Sequence, residues 1–196
     1  MSANGQPSAA DGGGSGQACV VALMGLPGAG KSRVAQALAH EFGLRLVSRD
    51  AIRAAMFPCC EYSFAEKQAA LHGVLLAVEI NGLLGASSVI DGITFSRVED
   101  RRRLGDLVHR HRFRLVQVML DCPLEVARER VLRDLGGAAH PAADRNIDLV
   151  DAVAARFADP PPEAIRIDAS QPQDDVWRLA REAVAAALAR EPSPRM

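Results

Sequence analysis

Eight residues in this chain have the types and the order needed to hold a chain of phosphates: Gly25-Leu26-Pro27-Gly28-Ala29-Gly30-Lys31-Ser32. They fit the spacing G-x-x-x-x-G-K-[ST], with Arg33 adjoining. Glycines let the backbone curl until successive N–H groups point inward at phosphate oxygens, and a helix starting there adds its positive end. Lys31 supplies a compact positive charge for the β and γ phosphates, and the Ser32 hydroxyl suits a magnesium ion. Lysine occurs at only one other position, Lys67, while every other strong cation is arginine. The exception thus falls where an ammonium is needed.

Three further sets could complete a phosphoryl-transfer site. Asp91 ends the apolar run SSVIDG, where a carboxylate could hold Mg²⁺ with Ser32; an Asp capping the following turn is the alternative. Asp50 and Arg53 in SRDAIR are three apart and project from one face of a helix's first turn. There Asp50 could take a proton from an acceptor hydroxyl while Arg53, with Arg97 nearby, binds an anionic acceptor. A helix cap with a surface ion pair would use the same residues. Arg130 and Arg133, with Arg145 behind them, precede or follow a Gly-rich stretch suited to a closing lid, where cations stabilise charge on the transferred group. Pairing of the arginines with Glu125, Glu129 and Asp134 on an exposed helix is the competing reading.

The elements that must position these groups alternate. CVVALM from Cys19, LRLVS from Leu44, SSVIDG from Ser87, FRLVQVMLD from Phe113 and Ile165 to Asp168 read as strands, the longer ones apolar enough to be buried on both faces. Helical stretches separate them, one stopping at Gly43, one running over Phe64 to Leu84, and one starting behind Pro123. Asn81, Gly82 and Gly85 weaken the end of the second of these. The order predicts an α/β fold with a parallel sheet. Residues 1–17 hold no large apolar side chain beyond Met1 and are expected to form a flexible tail, with one domain over 18–190 and a short tail over 191–196.

Composition narrows the partners. A formal net charge of -1 gives no global basic field for nucleic acid or anionic membrane. No run of about twenty apolar residues is present to span a membrane. Cys19, Cys59, Cys60 and Cys122 lack metal or redox spacing and suit a reducing cytoplasm. The histidines, His140 among them, show no metal spacing and are expected in the core or on the surface. With two lysines no NKxD guanine-reading motif can be built, and Gly92 stands where a hydrolysing motor would carry Glu.

Taken with SRDAIR, VIDGITFSRVEDRRRL, MLDCPLEVARERVLRD and FADPPPEAIRIDAS, the phosphate loop gives the chain a resemblance to the P-loop small-molecule and nucleic-acid kinases. That group includes adenylylsulfate kinases, gluconate kinases, polynucleotide 5′-kinases, zeta-toxin-like kinases and AAA-type ATP-binding kinase-like proteins. The similarity runs from Cys19 to Leu188. It implies a P-loop NTPase fold with a five-stranded parallel sheet, ATP with Mg²⁺, Asp50 as the acceptor-side acid or base, and Asp91 near the metal. It further implies Arg130 and Arg133 in a small lid and Ile167 to Ser170 bordering the adenine. The extended acceptor motifs of adenylylsulfate kinases and the Arg and Gly pattern of shikimate kinases are missing. The expected activity is transfer of the γ-phosphoryl group to a hydroxyl of a small molecule. An ATP-binding interaction module without transfer is one rival. A polynucleotide 5′-hydroxyl kinase is another, which would need a basic groove from Arg97, Arg101 and Arg102.

Overall fold

The computed structural model describes residues 17–135 and 146–189. Arg145, His140, most of the Gly-rich stretch and the expected tails, apart from Gln17, lie outside the described residues.

Five strands form one sheet: β1 (Cys19–Met24), β2 (Arg45–Ser48), β3 (Ser88–Asp91), β4 (Arg114–Asp121) and β5 (Ile165–Asp168). Their order is β2-β3-β1-β4-β5, and every pairing is parallel. The helices between them are α1 (Lys31–Phe42), α2 (Arg49–Met56), α3 (Phe64–Leu83), α4 (Val98–Arg110), α5 (Leu124–Leu135), α6 (Ile147–Ala155) and α7 (Gln173–Ala189).

Successive side chains of a strand point to opposite faces, so the wholly buried β1 must feed two cores. Cys19, Val21 and Leu23 face a layer made by α1, α5, α6 and α7, through Val34, Leu38, Ala127, Val131, Val150 and Val184. Val20, Ala22 and Met24 face α3 and α4, through Leu71, Val74, Val78, Leu104 and Leu107. This two-sided burial is why the sequence shows a continuous apolar run there rather than an alternating one. All four cysteines are free thiols.

Local signals set the helix ends. α1 stops at Gly43, whose φ of 63° is left-handed, as a C-terminal glycine provides. α3 begins with a capping box: the Ser63 hydroxyl accepts from the Glu66 N–H and the Glu66 carboxylate accepts from the Ser63 N–H. Those hydrogen bonds hold the Glu66 carboxyl below its ordinary range.

Two expectations change. Phe113 precedes β4 rather than opening it; its ring stacks on His111 and packs against Gly82, where a Cβ would lie 2.2 Å from its Cζ. Gly82 therefore makes room for a ring besides weakening a helix. Arg101, which the polynucleotide reading needed in a basic groove, is buried, and its guanidinium donates to the carbonyls of Asp159 (2.7 Å) and Ala158 (3.4 Å). It ties α4 to the proline-rich connection before β5, satisfying backbone acceptors there.

Candidate active site

Parallel strands bring their carboxyl ends to one edge, and the loops leaving β1, β2, β3 and β5 meet there. The loop after β1 is shaped by its glycines. At Gly25, φ is 142° and a Cβ would stand 2.6 Å from the Leu120 carbonyl oxygen on β4. At Gly28, φ is 88° and a Cβ would stand 2.5 Å from the Ala127 carbonyl oxygen on α5. Side chains are excluded at both places by neighbouring backbone as well as by φ. The Gly25 N–H donates to the Thr94 carbonyl (3.2 Å), joining this loop to the one after β3. Lys31 is buried, and its ammonium donates to the carbonyls of Gly25 (2.9 Å) and Leu26 (2.8 Å), so the charge sits within the curl of the loop. Ser32 follows in the first turn of α1. Arg33 is exposed and donates to the Gln173 side chain on α7, away from the loop's centre.

Asp91 closes β3 with a buried side chain, and its Oδ1 has no hydrogen-bond partner among the described residues. A buried, unsatisfied carboxylate oxygen is costly and calls for a partner such as a cation. The pairing of Ser48 with Asp91 carries the start of α2 to the same corner. There the Ser48 hydroxyl accepts from the Ala51 N–H (3.3 Å), so Ser48 caps α2 and leaves the Asp50 carboxylate for other work. A Cβ on Gly92, whose φ is 80°, would stand 3.3 Å from Asp50 Oδ2. Asp50 thus packs beside the residue that follows Asp91.

Asp50 pairs with Arg53 at 3.0 Å and with Arg49 at 3.6 Å. Arg53 is only 2% exposed, and its guanidinium lies 4.5 Å from the centroid of the Tyr62 ring. The surface ion pair among the sequence alternatives is therefore a buried one. Tyr62, in a left-handed conformation at φ 56°, is a member of this corner that the sequence did not single out. Arg97, expected nearby, is exposed at the start of α4, 5.9 Å from the Phe64 ring centroid. Burial pushes the Asp100 carboxyl up, against the pull of Arg97 and Arg103, and burial pushes Arg156 down, with Arg97 adding to the effect.

The two arginines expected over the phosphates are engaged otherwise. Arg130 donates to the carbonyls of Ala169 (2.7 Å), Gln171 (3.3 Å) and Ser170 (3.4 Å) in the loop after β5. Arg133 is 70% exposed and pairs with Glu129 at 2.7 Å, as on a solvated helix. Arg128 bridges α5 to α6 through Asp151 at 2.7 Å, and that hydrogen bond raises its pKa. Asp168 at the end of β5 accepts from the hydroxyl (2.6 Å) and N–H (2.9 Å) of Ser170, which holds its carboxyl below the ordinary range.

A glycine loop between the central strand and its helix, with an acidic strand end beside it, defines a P-loop nucleotide-binding fold. The chain belongs to the AAA domain family AAA_33, which matches residues 20–160. Its fold is shared with the adenylylsulfate (APS) kinase of Mycobacterium tuberculosis solved with AMPPNP and APS, at TM-score 0.66 and 16% identity over 88% of this chain and 99% of that one. It is also shared with a gluconokinase of Sinorhizobium meliloti 1021 (0.64, 19%, 86% and 92%) and a sugar kinase of Janibacter sp. HTCC2649 (0.63, 21%, 89% and 99%). No curated protein matches the chain.

Proposed function

We propose that the protein is a kinase that transfers the γ-phosphoryl group of ATP to a hydroxyl of a small molecule. One observation carries this reading: the phosphate loop, the buried oxygen of Asp91 that has no hydrogen-bond partner among the described residues, and the Asp50 carboxylate share one corner of the sheet edge. A loop that only bound nucleotide would need no second carboxylate beside it. Charged groups from Arg49, Asp50 and Arg53 make the corner polar rather than an apolar plug, which favours an acceptor there.

In this mechanism the loop N–H groups and Lys31 hold the triphosphate, and Asp50 accepts the proton of the acceptor hydroxyl. The hydroxyl oxygen forms a bond to the γ phosphorus as the bond to the β–γ bridging oxygen breaks, and ADP leaves. Arg53 fixes the Asp50 carboxylate by pairing with it. Asp91 and Ser32 would hold Mg²⁺, which would supply charge neutralisation of the phosphates. Arg101 is turned inward and so is not available to a basic groove, which leaves the polynucleotide reading with Arg97 and Arg102 and favours a compact acceptor. Four free thiols suit a reducing cytoplasm.

The test is ADP formation against a panel of hydroxylated metabolites, with Lys31→Ala and Asp50→Asn run alongside. Transfer by the parent and its loss in both folded variants are expected. Parent-like turnover of a validated acceptor by either variant would remove that residue from the mechanism, and absence of Mg-dependent nucleotide binding by the parent would end the reading altogether.

A further inference from the structure

The helix α3 is apolar on two opposite sides. Ala70, Leu71, Val74 and Val78 are buried toward the sheet. Leu76, Ile80, Leu83 and the capping Leu84 fall within about 100° of arc on the other side, where they are 56%, 48%, 65% and 67% exposed. Nine large apolar side chains are exposed among the described residues, and these four lie within nine consecutive positions. An isolated exposed leucine is ordinary, whereas a contiguous apolar patch marks a surface that meets something.

The rest of this chain does not supply the cover. On that side α2 reaches only as far as Gly73, where a Cβ would meet Ile52 at 2.7 Å and Met56 at 3.5 Å. The residues outside the described ranges hold no Leu, Ile, Val, Phe, Tyr or Trp to spread over the remainder. A membrane surface fits poorly, because a helix lying on one carries basic flanks. Here the groove of about 370 Å³ between α3 and α4 sets Glu79 and Asp106 beside Arg103 and Arg110, a mixture suited to the polar rim of a protein interface.

The spacing points to the partner. Leu76 and Leu84 stand four positions to either side of Ile80, so the row reads the same from both ends. A reversed copy sets Ile80 on Ile80 and Leu84 on Leu76, the self-complementarity that a two-fold axis requires. From Gln68 to Leu84 the one acidic or basic side chain is Glu79, set to the flank with its carboxylate 2.6 Å from the His111 ring, so no like charges face each other at the centre. The available area also suffices. With α3, α4 and the end of α2 side by side at spacings of about 8–10 Å, a face about 20 Å long covers on the order of 600 Å². Two such faces give about 1,200 Å², the lower end for a specific interface.

We propose that this face of α3 is where two copies of the chain associate, antiparallel, about a two-fold axis beside Ile80. The inference stands apart from the kinase reading and needs no nucleotide.

The experiment is sedimentation of the full chain from about 1 µM to about 500 µM, for the parent, Ile80→Glu and Leu132→Glu. The parent mass should rise from 20.9 kDa toward twice that value, with a dissociation constant of about 1–100 µM, as a small interface gives. Ile80→Glu sets two carboxylates against each other at the axis and should weaken association at least about a hundredfold. Leu132 is exposed on α5, across the sheet, so its variant should stay within about twofold of the parent. Helical circular dichroism establishes that each variant folds, and Ile80→Ser, with a loss of about tenfold expected, takes over if Ile80→Glu does not. A parent that stays at 20.9 kDa over the whole range overturns the inference. So does a dimer that persists in the Ile80 variants, or one that Leu132→Glu breaks equally. A monomeric parent that sediments with anionic or neutral lipid vesicles, and loses them in Ile80→Glu, would give the face to a membrane instead.

Discussion

Asp50→Asn separates the chemical role of this carboxylate from its structural one. The substitution removes the negative partner of Arg53, which is 2% exposed, and leaves that guanidinium with the Tyr62 ring as its remaining described neighbour of note. Breaking a buried pair from one side costs about 3–5 kcal/mol because a charge is stranded. The Tyr62 contact persists in the variant, so the lower end is expected, about 3 kcal/mol. For a chain of this size that is a fall in Tm of about 6–12 °C. Arg53→Met should cost less, since Asp50 is more exposed and keeps Arg49 at 3.6 Å. In the double variant Asp50→Asn/Arg53→Met no charge is stranded, and thermal melts should recover most of the lost stability. Phosphoryl transfer should not recover: with a validated acceptor, kcat should stay down by about a hundredfold or more, as for loss of a general base. A double variant that regained transfer along with stability would show Asp50 to be only a counterion. A single Asp50→Asn variant with unchanged Tm would refute the argument from stranded charge.

Further outcomes follow from individual contacts. Gly28→Ala and Gly30→Ala share a φ of 88°, which costs an Ala about 1–2 kcal/mol, but only Gly28 has a backbone carbonyl 2.5 Å from the new Cβ. Urea denaturation should place Gly28→Ala lower by a further ~1–3 kcal/mol; equal midpoints would mean that α5 yields freely. Gly82→Ala should destabilise despite its gain of about 1 kcal/mol in helix propensity, because the Phe113 ring occupies the space; a raised Tm would contradict that packing. Burial raises the Cys19 thiol from 9.0 to about 11. The folded state thus keeps a proton that the unfolded chain sheds, so this contribution is intact below about pH 9 and is lost as pH rises toward 11. Cys19→Ala should flatten the alkaline limb of the stability curve, and an unaltered slope between those values would rule Cys19 out as its source.

Where a function is written in consecutive residues, the sequence showed it. The loop from Gly25 to Ser32 could be read because its glycines answer to local φ and to an anion, and the strand β1 because burial on both faces leaves an unbroken apolar run. The Ser63-x-x-Glu66 box was equally local and was there to be found. Other features depend on partners far away in the chain. Arg101 belongs to a run of three arginines that looks solvated, and it is the carbonyls of Ala158 and Asp159, 57 and 58 residues on, that distinguish it from its neighbours. Arg130 and Arg133 are alike in composition and one turn apart, yet one meets the loop after β5 and the other meets water and Glu129. At the start of α2 the ambiguity was a matter of two positions: with Ser48 as the cap, Asp50 is released, and no propensity decides between them.

The strand order has a consequence for how such a protein could change its specificity. Because the central strand divides the edge, the groups proposed to meet the acceptor belong to β2, β3 and α2, while Ile167 to Ser170, expected from the resemblance to border the adenine, belong to β5 and the turn beyond it. The two halves share the glycine loop and little else. Retuning one partner is then a local edit, and a new acceptor can be accommodated while the grip on the energy donor stays as it was.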